Sequence, residues 1–231
     1  MRSLGRTLLW TAALVVGPCA PAAAGTVVLP GEISGAYSVP VDSLKEKRAR
    51  TTVLQRYDFS CGSAALSTLL THHYGVPVGE QEVFEQMFAQ GDRAKIQREG
   101  FSLLDMKRYL SSRGFEAHGF EAPLDELAKA GIPGIVLINE RGYNHFVVVK
   151  GLRSGRVLLG DPAGGTRAMA RAAFESMWVN RVLFVVTNRM ELASFNAPSD
   201  WRAAPAAPLA DATRRHGAAG FDIPKLGPSD F

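Results

Sequence analysis

The sequence predicts an α+β domain in which helices fill the first half and antiparallel strands the second. Two observations carry that expectation. Between Cys61 and Gly131 apolar residues recur at helical spacing, and the segments stop at glycine. From Gly134 to Asn188 the pattern changes to short β-branched runs separated by turn residues. Helices first and strands second fit a helical layer on one antiparallel sheet better than alternating βαβ units.

The chain of 231 residues opens with Arg2 and Arg6, the apolar run "TLLWTAALVVG" and small residues at Ala22 and Ala24. That is the pattern of a secretory signal peptide over residues 1–24, cut before Gly25. Cys19 would suit a lipoprotein signal, but Pro18 before it fits that cleavage site poorly. No later stretch reaches the ~18 consecutive apolar residues of a membrane span. The mature chain is therefore expected in the periplasm with no integral membrane segment. Removing residues 1–24 takes away two arginines and no acid, so 26 basic against 22 acidic residues becomes 24 against 22. A net charge of +2 on the remaining 207 residues argues against nucleic acid as a partner.

Residues 25–50 read as an extended N-terminal segment that ends in a charged "KEKRAR", a solvated approach to the domain. The domain itself spans residues 51–188. Its first helix runs from Cys61 to Tyr74 and is stopped by Gly75 and Pro77. "EQEVFEQMFAQ" (80–90) is an amphipathic helix, and Ser102 with Asp105 is a capping-box pattern for the next, ended by Gly114. Pro123 opens a short helix that Gly131 closes. The strands are 134–139, 145–151, 156–162 and 181–188, with a "GG" loop and a short helix (170–178) before the last. Residues 189–231 hold five of the thirteen prolines and many alanines, a composition expected of a flexible tail or of a strap over the surface.

Of two cysteines, Cys19 leaves with the signal peptide, so Cys61 is an unpaired thiol in an exported chain. Its place at a helix start offers a dipole that favours the thiolate. The hairpin of the second and third strands supplies a base. If its turn centres at Arg153, His145 lies opposite Asp161; half a residue later, it opposes Pro162. Histidine and aspartate then meet at one edge of the sheet, the base-and-orienter pair that a nucleophile needs. Gln55, six residues before Cys61, can hold the developing oxyanion together with the Cys61 N–H.

Gln55, Cys61-Gly62, Asn144-His145-Phe146 and Gly160-Asp161-Pro162, in that order, resemble the C39 family of papain-like cysteine peptidases over about residues 51–187. The resemblance implies a papain-like fold, nucleophile Cys61, base His145, orienting Asp161 and oxyanion donor Gln55. It implies no metal and no organic cofactor, and a peptide or protein substrate such as a component of a bacteriocin- or functional-amyloid-type secretion system. The best-known members are parts of bacteriocin exporters with membrane and ATP-binding regions. This chain shows neither, so double-glycine specificity does not carry over with the motif, and the chain is closer to stand-alone exported members.

Competing readings attach to single residues. His72 and His73 are adjacent, point to different helix faces and cannot chelate as an i,i+4 pair would. Asp58 is expected as a solvated loop acid. For the whole chain the rivals are a low-turnover peptide-binding module of a secretion system and a cysteine amidase acting on cell-wall peptides.

Overall fold

The computed structural model describes residues 25–30 and 36–205, with side chains from Asp42 onward. The expected signal peptide and residues 206–231 of the expected tail lie outside the described residues. The chain divides into two units, Met1–Ser43 and Leu44–Phe231. In the first, β1 (Gly25–Pro30) and β2 (Ala36–Val41) pair antiparallel.

The second unit begins with α1 (Leu44–Ala49), where an extended approach was expected. The helix forms because "LKEKRA" is made of strong helix formers. Next come α2 (Cys61–Thr68), α3 (Glu80–Gln90), α4 (Arg93–Glu99) and α5 (Leu103–Ser112). The expected long first helix is instead α2 followed by a π-helical turn, Leu69–His73. Ser102 and Asp105 form the full capping box of α5. The remaining elements are β3 (Ala117–Glu121), α6 (Asp125–Ala130), β4 (Gly134–Glu140), β5 (Tyr143–Arg153), β6 (Arg156–Asp161), β7 (Gly165–Ala170), α7 (Arg171–Met177), β8 (Val182–Val186) and α8 (Pro198–Ala203). The sheet is six-stranded in the order β3-β8-β4-β5-β6-β7. Every pairing in it is antiparallel.

Apolar residues of α2, α3 and α5 pack with Phe146 and Val148 on one face of the sheet. Val147, Val149, Val157 and Leu159 pack with Phe174 and Trp178 on the other. All eight residues of α2 are buried, and all but Leu66 are small. That smallness lets the helix lie close to its neighbours: a Cβ at Gly62 would sit 2.9 Å from Met106 Cε and 3.0 Å from Phe101 Cβ.

The stretch expected as tail is packed as far as Pro205. Asp200 and Trp201 of α8 are buried, and the Arg153 guanidinium lies 4.5 Å over the Trp201 ring. Asn196 ties this strap to β5: its N–H donates to the Lys150 carbonyl at 2.8 Å, and its Oδ1 accepts the Leu152 N–H at 2.8 Å. Those two β5 groups are free because the β5–β6 register shifts between Val149 and Gly151. Among the described residues, no helix is long and apolar enough to cross a membrane.

Candidate active site

The N-terminus of α2 is built to leave its first donors open. Ser60 could cap it, but its hydroxyl donates back to the Tyr57 carbonyl at 3.0 Å and makes no cap. The N–H groups of Cys61 and Gly62 are thus free to act on the Cys61 sulfur, and the N–H of Phe146 on β5 reaches it as well. Phe146 lies beyond the last β5–β6 pair, Val148–Gly160, where the two strands have parted. Cys61 enters at that parting.

The hairpin register differs from both sequence expectations. Arg153 pairs with Arg156 across a Ser154-Gly155 turn, both at positive φ as a type I′ turn requires. The bulge at Lys150 then adds an offset, and Val148 pairs with Gly160. Continued outward, that register sets Val147, not His145, opposite Asp161. His145 is one same-face step further on, a diagonal neighbour that an imidazole can still bridge. Its Nε2 lies 3.5 Å from Asp161 Oδ1. That is an ion-pair contact longer than a good hydrogen bond. His145 Nδ1 has no hydrogen-bond partner among the described residues.

Burial is the largest influence on Cys61 and pushes its thiol up. The backbone N–H groups of Phe146, Gly62 and Cys61 pull it down by less, and the Asp161 charge adds to the rise. At this cysteine burial therefore opposes the pull toward the thiolate that the helix start and the backbone N–H groups exert. Asp161 goes the other way. Burial works to raise its carboxyl, but the His145 ring, the Ala163 N–H and the Arg167 guanidinium together hold it below the usual carboxylate range.

Gln55 is placed beside this group by its backbone, whose N–H donates to the Pro162 carbonyl at 2.9 Å. Its Nε2 donates to the Tyr57 carbonyl at 3.1 Å, while its Oε1 is buried without a partner. Asp58 is exposed, and its backbone carbonyl accepts the Tyr143 hydroxyl at 2.6 Å.

Three residues near the site were not anticipated. Tyr143 stacks on the His145 ring with centroids 5.7 Å apart. Its position two residues before His145, on the same face of a strand, was the available signal. Arg167 and Glu140 complete the polar cluster, and nothing local in sequence links them. Glu140, His145 and Asp161 could offer a metal three ligand atoms within 4.8 Å of one another. In this structure the Arg167 guanidinium is paired with both carboxylates. His72 and His73 lie apart from the cluster, and His73 Nδ1 is 2.6 Å from the Ser194 carbonyl of the C-terminal strap.

The model of the Peptidase C39 family matches residues 49–190. Over 182 residues the chain is 41% identical to the "Probable functional amyloid protease FapD" of Pseudomonas aeruginosa, covering 78% of this chain and 79% of that one. It is 27% identical over 135 residues to the "Lactococcin-G-processing and transport ATP-binding protein LagD" of Lactococcus lactis, of which it covers 18%. The peptidase domain of Streptococcus ComA, described as a bi-functional ABC transporter involved in a quorum-sensing pathway, shares the fold at a TM-score of 0.51 and 21% identity. That match covers 59% of this chain and 97% of the domain. A family match across residues 49–190, together with a relative 41% identical over most of both chains, fixes the assignment: this chain belongs to the Peptidase C39 family, and its helices on an antiparallel sheet are the papain-like fold of a cysteine peptidase.

Proposed function

We propose that the protein is an exported cysteine peptidase in which Cys61, His145 and Asp161 form the catalytic triad and Gln55 helps to hold the oxyanion. Its substrate is a peptide segment of a secreted or periplasmic protein, handled within a secretion system of the functional-amyloid type. The amyloid setting rests on the named Pseudomonas aeruginosa relative. Export rests on the signal-peptide pattern of residues 1–24.

One observation carries the triad reading. Neither ring nitrogen of buried His145 makes a hydrogen bond, and Nε2 is turned to Asp161 Oδ1 at 3.5 Å, so the ring is oriented by the carboxylate while Nδ1 stays open. His145 sits one residue before the N–H that reaches the Cys61 sulfur. When substrate binds, His145 accepts the Cys61 proton and the thiolate attacks the peptide carbonyl. The oxyanion is held by the Cys61 N–H and by the Gln55 amide, once that amide turns from the Tyr57 carbonyl. Collapse breaks the C–N bond, and His145 returns the proton to the leaving amine. Water, deprotonated by His145, then hydrolyses the thioester. Asp161 keeps the imidazole in the required tautomer throughout.

The test is labelling of the mature protein by a peptidyl acyloxymethyl ketone, which alkylates an activated cysteine. The wild type is expected to react far faster than free cysteine, and His145→Ala to lose that advantage. Equal labelling of the two would overturn the triad. A second reading, a peptide-binding module of low turnover, draws on the raised Cys61 thiol and its exposure of 7%. It predicts that the wild type reacts no faster than free cysteine.

A further inference from the structure

Asp161 is 4% exposed, and a buried carboxylate needs partners on both oxygens. Oδ1 accepts the Ala163 N–H at 2.9 Å and faces His145. Oδ2 lies 2.8 Å from Arg167 Nε, an ion-pair contact whose N–H is not aimed along a hydrogen bond. The remaining guanidinium nitrogens grip Glu140, with one donating to Oε1 at 3.3 Å and the other to Oε2 at 2.7 Å. Glu140 ends β4 and Arg167 lies on β7, so this link passes the end of β5 that carries His145 and the end of β6 that carries Asp161. It braces the strand ends on which the reaction depends.

A carboxylate held at one oxygen alone can turn about its terminal torsion, which is soft. One clamped at both oxygens cannot. The planar fork of arginine suits the task because it can pair with two carboxylates at fixed angles, whereas lysine presents a single point charge. We propose that Arg167 is a positioning residue of the peptidase: braced on Glu140, its guanidinium fixes the Asp161 carboxylate so that Oδ1 stays turned toward His145. The inference rests on the triad reading and adds a residue to it.

The groups facing Asp161 are His145 from β5, Arg167 from β7, Glu140 from β4 and, further off, the Cys61 thiol from α2. Arg167 is the permanent cation among them. Its removal raises the proton affinity of every anion the site must hold, including the thiolate, so the acid limb of the reaction moves to higher pH.

The experiment follows labelling of the full mature chain by the same ketone, with the rate at saturation (kinact) and the concentration at half-saturation (KI) measured across pH. Rates are taken per molecule finally labelled, so a loss of folded protein does not register. Arg167→Met is expected to lower kinact by about 10- to 100-fold, the usual effect of losing a partner that orients a functional ligand. KI should stay within about twofold, because the brace does not touch the peptide, and the acid limb should shift upward. Arg167→Lys should restore the acid limb but not the full kinact, since it returns the charge without the fork. Wild-type kinact and an unmoved acid limb in Arg167→Met would overturn the proposal. If that variant does not fold, Arg167→Lys decides: a lowered kinact supports the brace and a wild-type kinact overturns it. If His145→Ala labels like the wild type, the triad reading itself fails, whatever Arg167 does.

Discussion

Two ionic clusters, one buried and one half-buried, share the same strands and are finished in opposite ways. Gly160 and Asp161 are neighbours on β6, and Thr166 and Arg167 are neighbours on β7, so alternation sends one of each pair to each face of the sheet. On the α2 face, Lys150 Nζ donates to the Thr51 carbonyl and the Thr51 hydroxyl, both at 2.8 Å, and to Thr166 Oγ1 at 3.2 Å. It also pairs with Asp200 at 3.1 Å, and the Thr51 hydroxyl donates to the same carboxylate. On the other face, Asp161 and Arg167 meet Glu140 and His145, and the ring of His145 is left without a true hydrogen bond. The saturated cluster locks α8 and the start of the domain to the sheet. The unsaturated one leaves both nitrogens of His145 without a hydrogen bond, as the proposed base requires. Satisfying every polar group gives stability and a unique structure, and a site that must do chemistry forgoes part of that.

The comparison breaks most sharply at His145. His145→Ala should lower turnover by at least about 10³-fold, since members of a catalytic triad act as a unit. Its thermal midpoint should fall less than that of Lys150→Met, because the ring it removes stacks on Tyr143 but makes no hydrogen bond. A large loss of stability with little loss of activity per folded molecule would mean that the two clusters have been assigned the wrong way round.

Lys150→Met is the counterpart. It strands Asp200 in the interior, and breaking a buried pair from one side costs about 3–5 kcal/mol. Urea unfolding should register that loss, while labelling of Cys61 per folded molecule stays near the wild-type rate. Replacing both partners, Lys150→Met with Asp200→Leu, should cost less than the single change, because no charge is then left unpaired.

The saturated cluster also sets an acid sensitivity. His73 lies beside it, flanked by His72, Lys150, Asp200 and the Ser194 carbonyl. Burial, with the Lys150 charge next, lowers its pKa from 6.5 to about 4. In this case the unfolded chain takes up the proton first. The stability contributed by a neutral His73 is complete above about pH 6.5 and is lost as the pH falls toward about 4, a change of order 3 kcal/mol. Urea titrations at stepped pH should show the decline in that window. His73→Asn, which can still donate to the Ser194 carbonyl but does not titrate, should flatten it. An unchanged slope in that variant would assign the sensitivity elsewhere.

What the sequence made legible was the chemistry carried by short local patterns. Cys61 at a helix start, His145 at a strand start and Asp161 at a strand exit are each readable within a few residues, as is the Ser102 capping box. What stayed hidden depends on contacts distant in sequence. The bulge at Lys150, which brings His145 onto the same face as Asp161 after the turn has set the two out of register, is held by Asn196, and Gly151 has no side chain there because a Cβ would lie 2.4 Å from Asn196 Oδ1. The strand "AHGFE" has no β-branched residue and "GTRAMA" only Thr166, and both are strands by virtue of their partners, β8 and β6. The strap around α8 has the composition of a tail, yet Asp200 orders it through a lysine fifty positions earlier. No local rule reads that pair.

The mildest prediction falls on the residue between the clusters. Gly160 precedes Asp161, and a Cβ there would lie 3.1 Å from Lys150 Cδ, 3.2 Å from Thr52 Oγ1 and 3.4 Å from Thr68 Cγ2. The Lys150 stem is fixed by its Nζ contacts, so it cannot swing aside without loosening the saturated cluster. Gly160→Ala should therefore destabilise by about 1–3 kcal/mol, the range for overpacking a filled interior. Because the strand carries Asp161 on its next residue, a shift of the backbone would reach the other face as a lowered labelling rate. If Gly160→Ala loses stability but keeps the wild-type rate, the strand absorbs the strain on the α2 side and the clusters are mechanically independent. If both fall together, the saturated cluster also sets the position of Asp161.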